Sequence, residues 1–282
     1  MTTTTSPSPT TAAGGRRHRT TTAPTRPGRG TAPRPIPLTR IVGVELRKSF
    51  DTRAGFWLLA SIGIASVVTT AAIIAFADAS ELTYSSFTLA IAFPMSVILP
   101  IIAALSVTAE WSQRSGLSTF TMVPHRGRVM LGKAVAVVAI APVATFLAFT
   151  VGALGNVLGT TLAGTAQTWD QNVAGALQMT LANALLVLVG FTLGVLIRSS
   201  AGAVVAYFLY GFVAPGLLTL LAMSQQWFRD LQPWVDPNHT QDALLQGTFT
   251  AEQWAQLAVT SGVWLVVPLT VGLWTLLRAE VK

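Results

Sequence analysis

The pattern closest to a nucleotide site runs from Gly127 to Lys133 and reads G-x-x-x-x-G-K. A phosphate-binding loop needs a Ser or Thr after the lysine to hold Mg²⁺ and a strand before the first glycine. Here Ala134 follows the lysine and a polar, Pro-containing stretch precedes the glycine, so ATP binding on this chain is not expected. The three histidines, His18, His125 and His239, fall in three separate polar regions and assemble no metal site within one compartment. Asp236, His239 and Asp242 are residue types that do acid–base work, but neither a nucleophile nor a scaffold accompanies them. With no cysteine, disulfides and Cys-ligated metals are excluded. The expectation is a chain that is not an enzyme and carries no cofactor of its own.

The stretch 110–133 carries chemistry of another kind. It sets Arg114, Arg126, Arg128 and Lys133 against one acid, Glu110. Glu110 and Arg114 are four apart with the acid first, the favourable helical order, and Pro124 should end that short helix. An ordinary basic loop accounts for the cations. It does not account for Leu117, Phe120, Met122 and Val123 in the middle, which are costly to leave in water and read as a docking surface.

The elements that must position this stretch are apolar. Only 10% of the 282 residues are charged, against about 25% in soluble domains, and the mean hydropathy is +0.58. Six runs, 56–76, 87–109, 134–158, 177–197, 201–221 and 257–277, hold no Asp, Glu, Lys, Arg or His. Each is close to the ~20 residues that cross about 30 Å of hydrocarbon, where backbone amides must be satisfied locally and helices are the expected form. The predicted fold is therefore an all-α integral membrane protein with six spans. The turn at Arg198–Ser200 is read as a tight helical hairpin, since a single element across spans four and five would be about 65 Å long.

Charge sets the expected orientation. Ten Lys/Arg precede span one, four lie between spans two and three, Arg198 lies between four and five, and Arg278 and Lys282 close the chain; Arg229 alone falls on the other side. This bias predicts an inner-membrane protein with both termini cytoplasmic, and it explains the net charge of +7 without nucleic acid. Residues 1–37, rich in Thr, Pro and Arg, read as a disordered basic tail beside anionic lipid rather than a nucleic-acid-binding arm or a secretory signal. From 38 to 53 Leu38, Val42, Leu46 and Phe50 recur every four residues with Arg40, Arg47 and Asp51 opposite, the pattern of a helix lying in the membrane surface. Glu45, at the edge of that stripe, can pair with Lys48 or reach another segment. Between spans five and six, Trp227, Phe228, Trp234, Phe249 and Trp254 predict short helices at the outer lipid boundary.

Within the spans, Pro94, Pro100, Pro142, Pro215 and Pro268 each remove a helix hydrogen bond. Gly190 and Gly194 form G-x-x-x-G, as do Gly155 and Gly159, a pattern that permits close helix approach but that 23 glycines make common. Asn156, Gln178 and Asn183 read first as interhelical hydrogen-bonding groups. Asn183, Tyr207 and Tyr210 are the candidates to line a cargo path, against the alternative that they merely pack.

The stretch 110–133 resembles the permease subunits of the type-two ABC exporter family in their single-domain bacterial form. Those carry an acid at the inner end of span two, a Gly-containing short helix, Pro-x-Arg, and a Lys opening span three; the matching positions are Glu110, Gly116, Pro124, Arg126 and Lys133. Leu117 and Ser118 after Gly116 depart from the Gly-Thr of many members. The segment 38–53, with Glu45, Arg47, Lys48 and Arg53, looks like the family's interfacial connecting helix. The resemblance implies that 110–133 is a coupling helix seated in a separate ATPase subunit that holds Mg-ATP, that two permease copies pair with two ATPases, and that spans two and five line an outward route. It also implies a brace between Glu110 and a cation of the connecting helix (Arg47, Lys48 or Arg53). No ionisable residue in the spans points to an ion relay, which favours an amphiphilic drug, peptide or lipid as cargo. The competing expectation is a non-transporting membrane anchor that recruits a cytoplasmic partner through the same loop.

Overall fold

The computed structural model describes residues 37–112, 126–245 and 249–278, apart from several side chains at helix ends. All regular structure among them is helical. In order, α1 spans Leu38–Asp51, α2 Arg53–Phe76, α3 Tyr84–Ser112, α4 Arg126–Val138, α5 Ile140–Ala163 and α6 Val173–Ile197. They are followed by α7 (Ser200–Phe208), α8 (Ala214–Ser224), α9 (Gln226–Val235), α10 (Pro237–Leu245), α11 (Ala251–Ser261) and α12 (Val267–Arg278). Six helical stretches are long and apolar enough to cross a membrane: Gly55–Phe76, Tyr84–Ala109, Gly127–Ala163, Val173–Ile197, Ser200–Ser224 and Ala251–Arg278. Each of the six apolar runs read from the sequence lies inside one of them. The tail before residue 37 lies outside the described residues.

The core forms around α3. Phe87, Ile91, Met95, Leu99, Ala103 and Val107 are each at most 1% exposed, and their spacing of four puts them on one helix face. That face packs chiefly on α6. The contact is made by the G-x-x-x-G pair of α6: a Cβ on Gly190 would stand 2.1 Å from the Pro100 carbonyl oxygen, and one on Gly194 2.9 Å from that of Ala104. Without a hydrophobic drive between helices in lipid, such backbone proximity is a principal source of association. At the other end of α3, Gly155 and Gly159 on α5 make room for the Phe87 ring. By contrast α2 and the fifth span are mostly exposed, with 17% and 6% of their apolar windows buried.

Thr52 ends α1 in extended backbone and caps α2, its Oγ1 accepting from the Gly55 N–H at 3.1 Å. The turn between spans four and five is two residues: Arg198 takes a left-handed conformation (φ 58°), its N–H donating to Gly194 O, and Ser199 caps α7. Opposite, Asp170 caps α3. Its carboxylate accepts from the backbone N–H of Ser85 at 2.7 Å and from the Ser85 hydroxyl, while Thr168 O accepts from both Tyr84 N–H and Asn156 Nδ2 at 3.1 Å.

Proline shapes the spans in two ways. Pro142 has no N–H for the Val138 carbonyl, and the helix is interrupted there, between α4 and α5. Spans five and six instead pass through five-residue π-helical segments, Leu209–Val213 and Gly262–Val266, and in each case Pro is the second residue after the segment ends, at Pro215 and Pro268. The widened turn makes Ala214 N–H donate to Leu209 O, and Val267 N–H to Gly262 O. The carbonyl of Tyr210 is thereby bypassed, since its next candidate donor is Pro215. It accepts instead from Asn238 Nδ2 of α10, at 3.4 Å. Pro94 and Pro100 lie within a continuous α3.

Two outcomes are expected. Gly190→Ala forces α3 and α6 apart and destabilises by about 1–3 kcal/mol. Gly63→Ala on α2, with nothing within 4 Å of the added carbon, is neutral or slightly stabilising; thermal unfolding in detergent checks both. Burial pushes the Asp170 carboxyl up, but its hydrogen bonds from Ser85 outweigh that and hold it below the ordinary value. Its contribution is therefore complete above the unfolded value of about 3.9 and is lost as pH falls through the depressed folded value. The stability difference between the unmodified chain and Asp170→Asn, followed by melting from neutral pH downward, should vanish at the acid end.

Candidate functional site

The residues singled out by sequence are brought together most tightly where α1 crosses the base of span three. Sequence reading begins that span at Ala134, after the last cation. The structure carries the helix back to Arg126 and buries Lys133, whose side chain is only 3% exposed. Burial of an ammonium demands a partner, and α1 supplies it. Lys133 Nζ donates to Glu45 Oε2 at 2.6 Å and lies 3.4 Å from the Ser106 carbonyl of α3. Glu45 Oε1 accepts from Lys48 Nζ at 2.7 Å, one turn on, where the lysine is half-exposed. Both readings of Glu45 therefore hold at once: it pairs with Lys48 and it reaches another segment. One lysine ties α1, α3 and α4 together.

Shape reinforces charge at this node. A Cβ on Gly132 would stand 2.5 Å from Ile41 Cγ2, so the glycine next to Lys133 is the socket for the isoleucine one turn before Glu45. Ile41 and Glu45 are the buried residues of α1, with Leu38, Val42 and Leu46 of the apolar stripe half-buried beside them. Ile41 and Glu45 face inward because Gly132 and Lys133 are adjacent on α4.

The field at Glu45 follows from these contacts. Burial pushes its carboxyl up, yet the Lys133 charge and the hydrogen bonds from Lys133 and Lys48 hold it below the ordinary glutamate value. The carboxylate is thus the charged form that the node requires. Arg47 and Arg53 are exposed. The predicted coupling residues Arg114, Gly116, Leu117, Phe120, Met122 and Pro124 lie outside the described residues, as do the side chains of Glu110 and Arg126. The brace expected between Glu110 and α1 therefore falls outside the description; the tie that is described uses Glu45 and Lys133.

The three candidates for a cargo path are placed separately. Asn183 of α6 is buried and donates to Thr145 Oγ1 of α5 at 3.0 Å. Tyr207 of α7 is buried and its hydroxyl donates to the Ser96 carbonyl of α3. Tyr210, within the π segment of span five, lies against Trp264 with ring centroids 6.0 Å apart. The first two thus hold helices to one another, while the buried hydroxyl of Tyr210 lies beside the Gln241 side chain of α10.

At the opposite end of the bundle, Asp236 is buried between α9 and α10 and caps α10, accepting from the N–H groups of Asn238 and His239 at 3.0 and 3.4 Å and from Gln232 Nε2 at 3.1 Å. Burial, followed by the charge of Asp236, pushes the Asp242 carboxyl up against the opposing pull of His239. Among the described residues no three His, Cys, Asp or Glu side chains converge to hold a metal ion. Sequence reading missed Ser106, Gly132 and Ile41 as parts of the node; the signal for Gly132 was its position beside Lys133 at the opening of a span.

No family model matches this chain, and no curated protein matches its sequence.

If Lys133 and Glu45 form one unit, the pair Glu45→Leu and Lys133→Met is strongly non-additive. A double-mutant cycle on detergent-solubilised protein should return a coupling of about 1–3 kcal/mol; a value near zero would mean that Glu45 serves Lys48 alone.

Proposed function

We propose that this chain is the membrane-spanning permease subunit of an ATP-driven exporter of the type-two ABC kind. In this reading stretch 110–133 docks on a separate ATPase subunit, the Lys133 end faces the cytoplasm, and two copies of the permease assemble with two ATPases that hold Mg-ATP. The cargo is amphiphilic, a drug, peptide or lipid, moved outward. The observation that carries the reading is the Lys133 node. It joins α1 to both helices that flank residues 113–125, so a force applied to that stretch from outside the membrane reaches α1, α3 and α4 together. An anchor that merely recruits a partner has no need of such a rigid junction, which costs the burial of two charges.

Purification of the chain from its native host, with and without Phe120→Asp, tests the proposal. An apolar anchor at the centre of a docking site is worth ~2 kcal/mol or more, roughly thirtyfold in affinity. An ATPase subunit should therefore accompany the unmodified protein and be lost with the variant. Retention of the ATPase by the variant would move the docking site elsewhere, and absence of any ATPase from both samples would favour the anchor.

A further inference from the structure

At the Lys133 end of the bundle a second pair of cations meets, and neither belongs to the node. Span four gives way to Arg198 and span six closes at Arg278. Gly272 lets α6 and α12 approach just before these ends: a Cβ there would stand 3.1 Å from Val195 Cγ1 and 3.5 Å from the Leu196 backbone. Arg198 Nη2 then donates to Thr275 Oγ1 of α12 at 2.8 Å. Arg278 follows Thr275 by one turn, and residues three apart are neighbours on a helix surface. Both arginines are thereby brought to one edge of the α6–α12 contact. The turn is fixed from the other side as well, since Ser200 and Thr108 of α3 share a hydrogen bond of 2.8 Å.

Protein does not balance these charges. Among the described residues no carboxylate pairs with either arginine. The Arg198 side chain is half-buried, and of its five donors one reaches a described acceptor, which is neutral. Its backbone is left-handed, φ 58°, a conformation that glycine adopts without strain at helix ends. The chain accepts that strain and places a guanidinium there. Arg278 is exposed and rests over the Trp274 ring, 4.2 Å from its centroid, an arrangement suited to the boundary between lipid and water. Val271 and Trp274, four residues before Thr275 and Arg278, are exposed on the same side of α12, and Leu196 and Ile197 are exposed beside Arg198. Unpaired cations thus adjoin an apolar surface open to hydrocarbon chains.

We propose that Arg198 and Arg278 form a binding site for an anionic phospholipid. The headgroup phosphate accepts from the two guanidinium groups, which suit its geometry, and the acyl chains lie on Leu196, Ile197, Val271 and Trp274. A headgroup without a cation of its own is preferred, because two positive charges await it. The lipid bridges the ends of spans four and six and supplies the charge that the chain omits. This site rests on the membrane placement of the helices and not on the transport reading.

Melting of the full chain in an uncharged detergent tests it, with phosphatidylglycerol, phosphatidylcholine of the same acyl chains, or inorganic phosphate added. Near tenfold saturation, phosphatidylglycerol should raise the melting temperature by about 3–5 °C over phosphatidylcholine, and inorganic phosphate should not. Arg198→Gln and Arg278→Gln should each lose most of that difference. Arg278→Gln leaves the Thr275 tie intact, so it reads the site even if Arg198→Gln unfolds early. Arg40→Gln removes an exposed cation of α1 and should keep the whole difference. An equal response to both lipids, or one reproduced by inorganic phosphate, overturns the proposal. So does a difference that survives in Arg278→Gln, or one that falls as far in Arg40→Gln, which would mark diffuse surface charge.

Discussion

Lys133 cannot be buried alone. An ammonium removed from water at the base of an apolar helix either loses its proton or finds an anion, and here the anion comes from a helix that precedes the first span. Much of the architecture at this end answers that requirement. Gly132 is small so that Ile41 can approach, α1 turns so that Glu45 faces inward, and Thr52 breaks the chain after α1 so that α2 can leave in a new direction. The Ser106 carbonyl brings α3 into the same contact. A charge pair of this kind adds little net stability over an apolar substitute. Its value lies in specificity: it admits one register of α1 against α4.

A second constraint acts along the spans. A backbone carbonyl in an apolar environment must keep a partner, and proline withdraws one. The chain resolves this locally in span three by a break, and in spans five and six by a wider turn. At Tyr210 the bypassed carbonyl is satisfied from α10, so a proline in one span helps to decide where a helix outside the spans is held. The close approach of α3 and α6 is the complementary solution: where side chains are deleted at Gly190 and Gly194, backbones meet and no polar group has to be exposed.

The six apolar helices were legible because hydropathy is a property of each segment by itself. The short helix α9 was legible from Trp227, Phe228 and Trp234, whereas α10, Pro237–Leu245, carries no Phe, Trp or Tyr to mark it. Pairings were harder. Glu45 could be seen at the edge of its stripe, but two partners were open to it, and only the placement of Lys133 shows that it uses both. The bundle-facing residues of α1 were not legible, since periodicity marks Leu38, Val42 and Leu46 rather than Ile41 and knows nothing of the socket at Gly132. Gly190 and Gly194 matched a packing motif that chance could also supply; the Pro100 carbonyl against Gly190 is what gives it meaning. Asn183 and Tyr207 were visible as polar residues in apolar runs, whereas their partners Thr145 and Ser96 lie 38 and 111 residues away in the chain.

A π segment is one residue more than an α-helix needs for the same turn. It therefore rotates everything beyond it by about 100° about the helix axis. In span five this sets which side of α8 carries Leu217 and Leu220, and in span six which side of α12 carries Trp274, whose ring lies beneath the Arg278 guanidinium at 4.2 Å. The two spans bear the same offset at the same distance from a proline. Loss of a single residue from one of them would leave every side chain in place in the sequence and turn half a span to face the wrong neighbours. Length, at these two positions, is as much a part of the information as residue type.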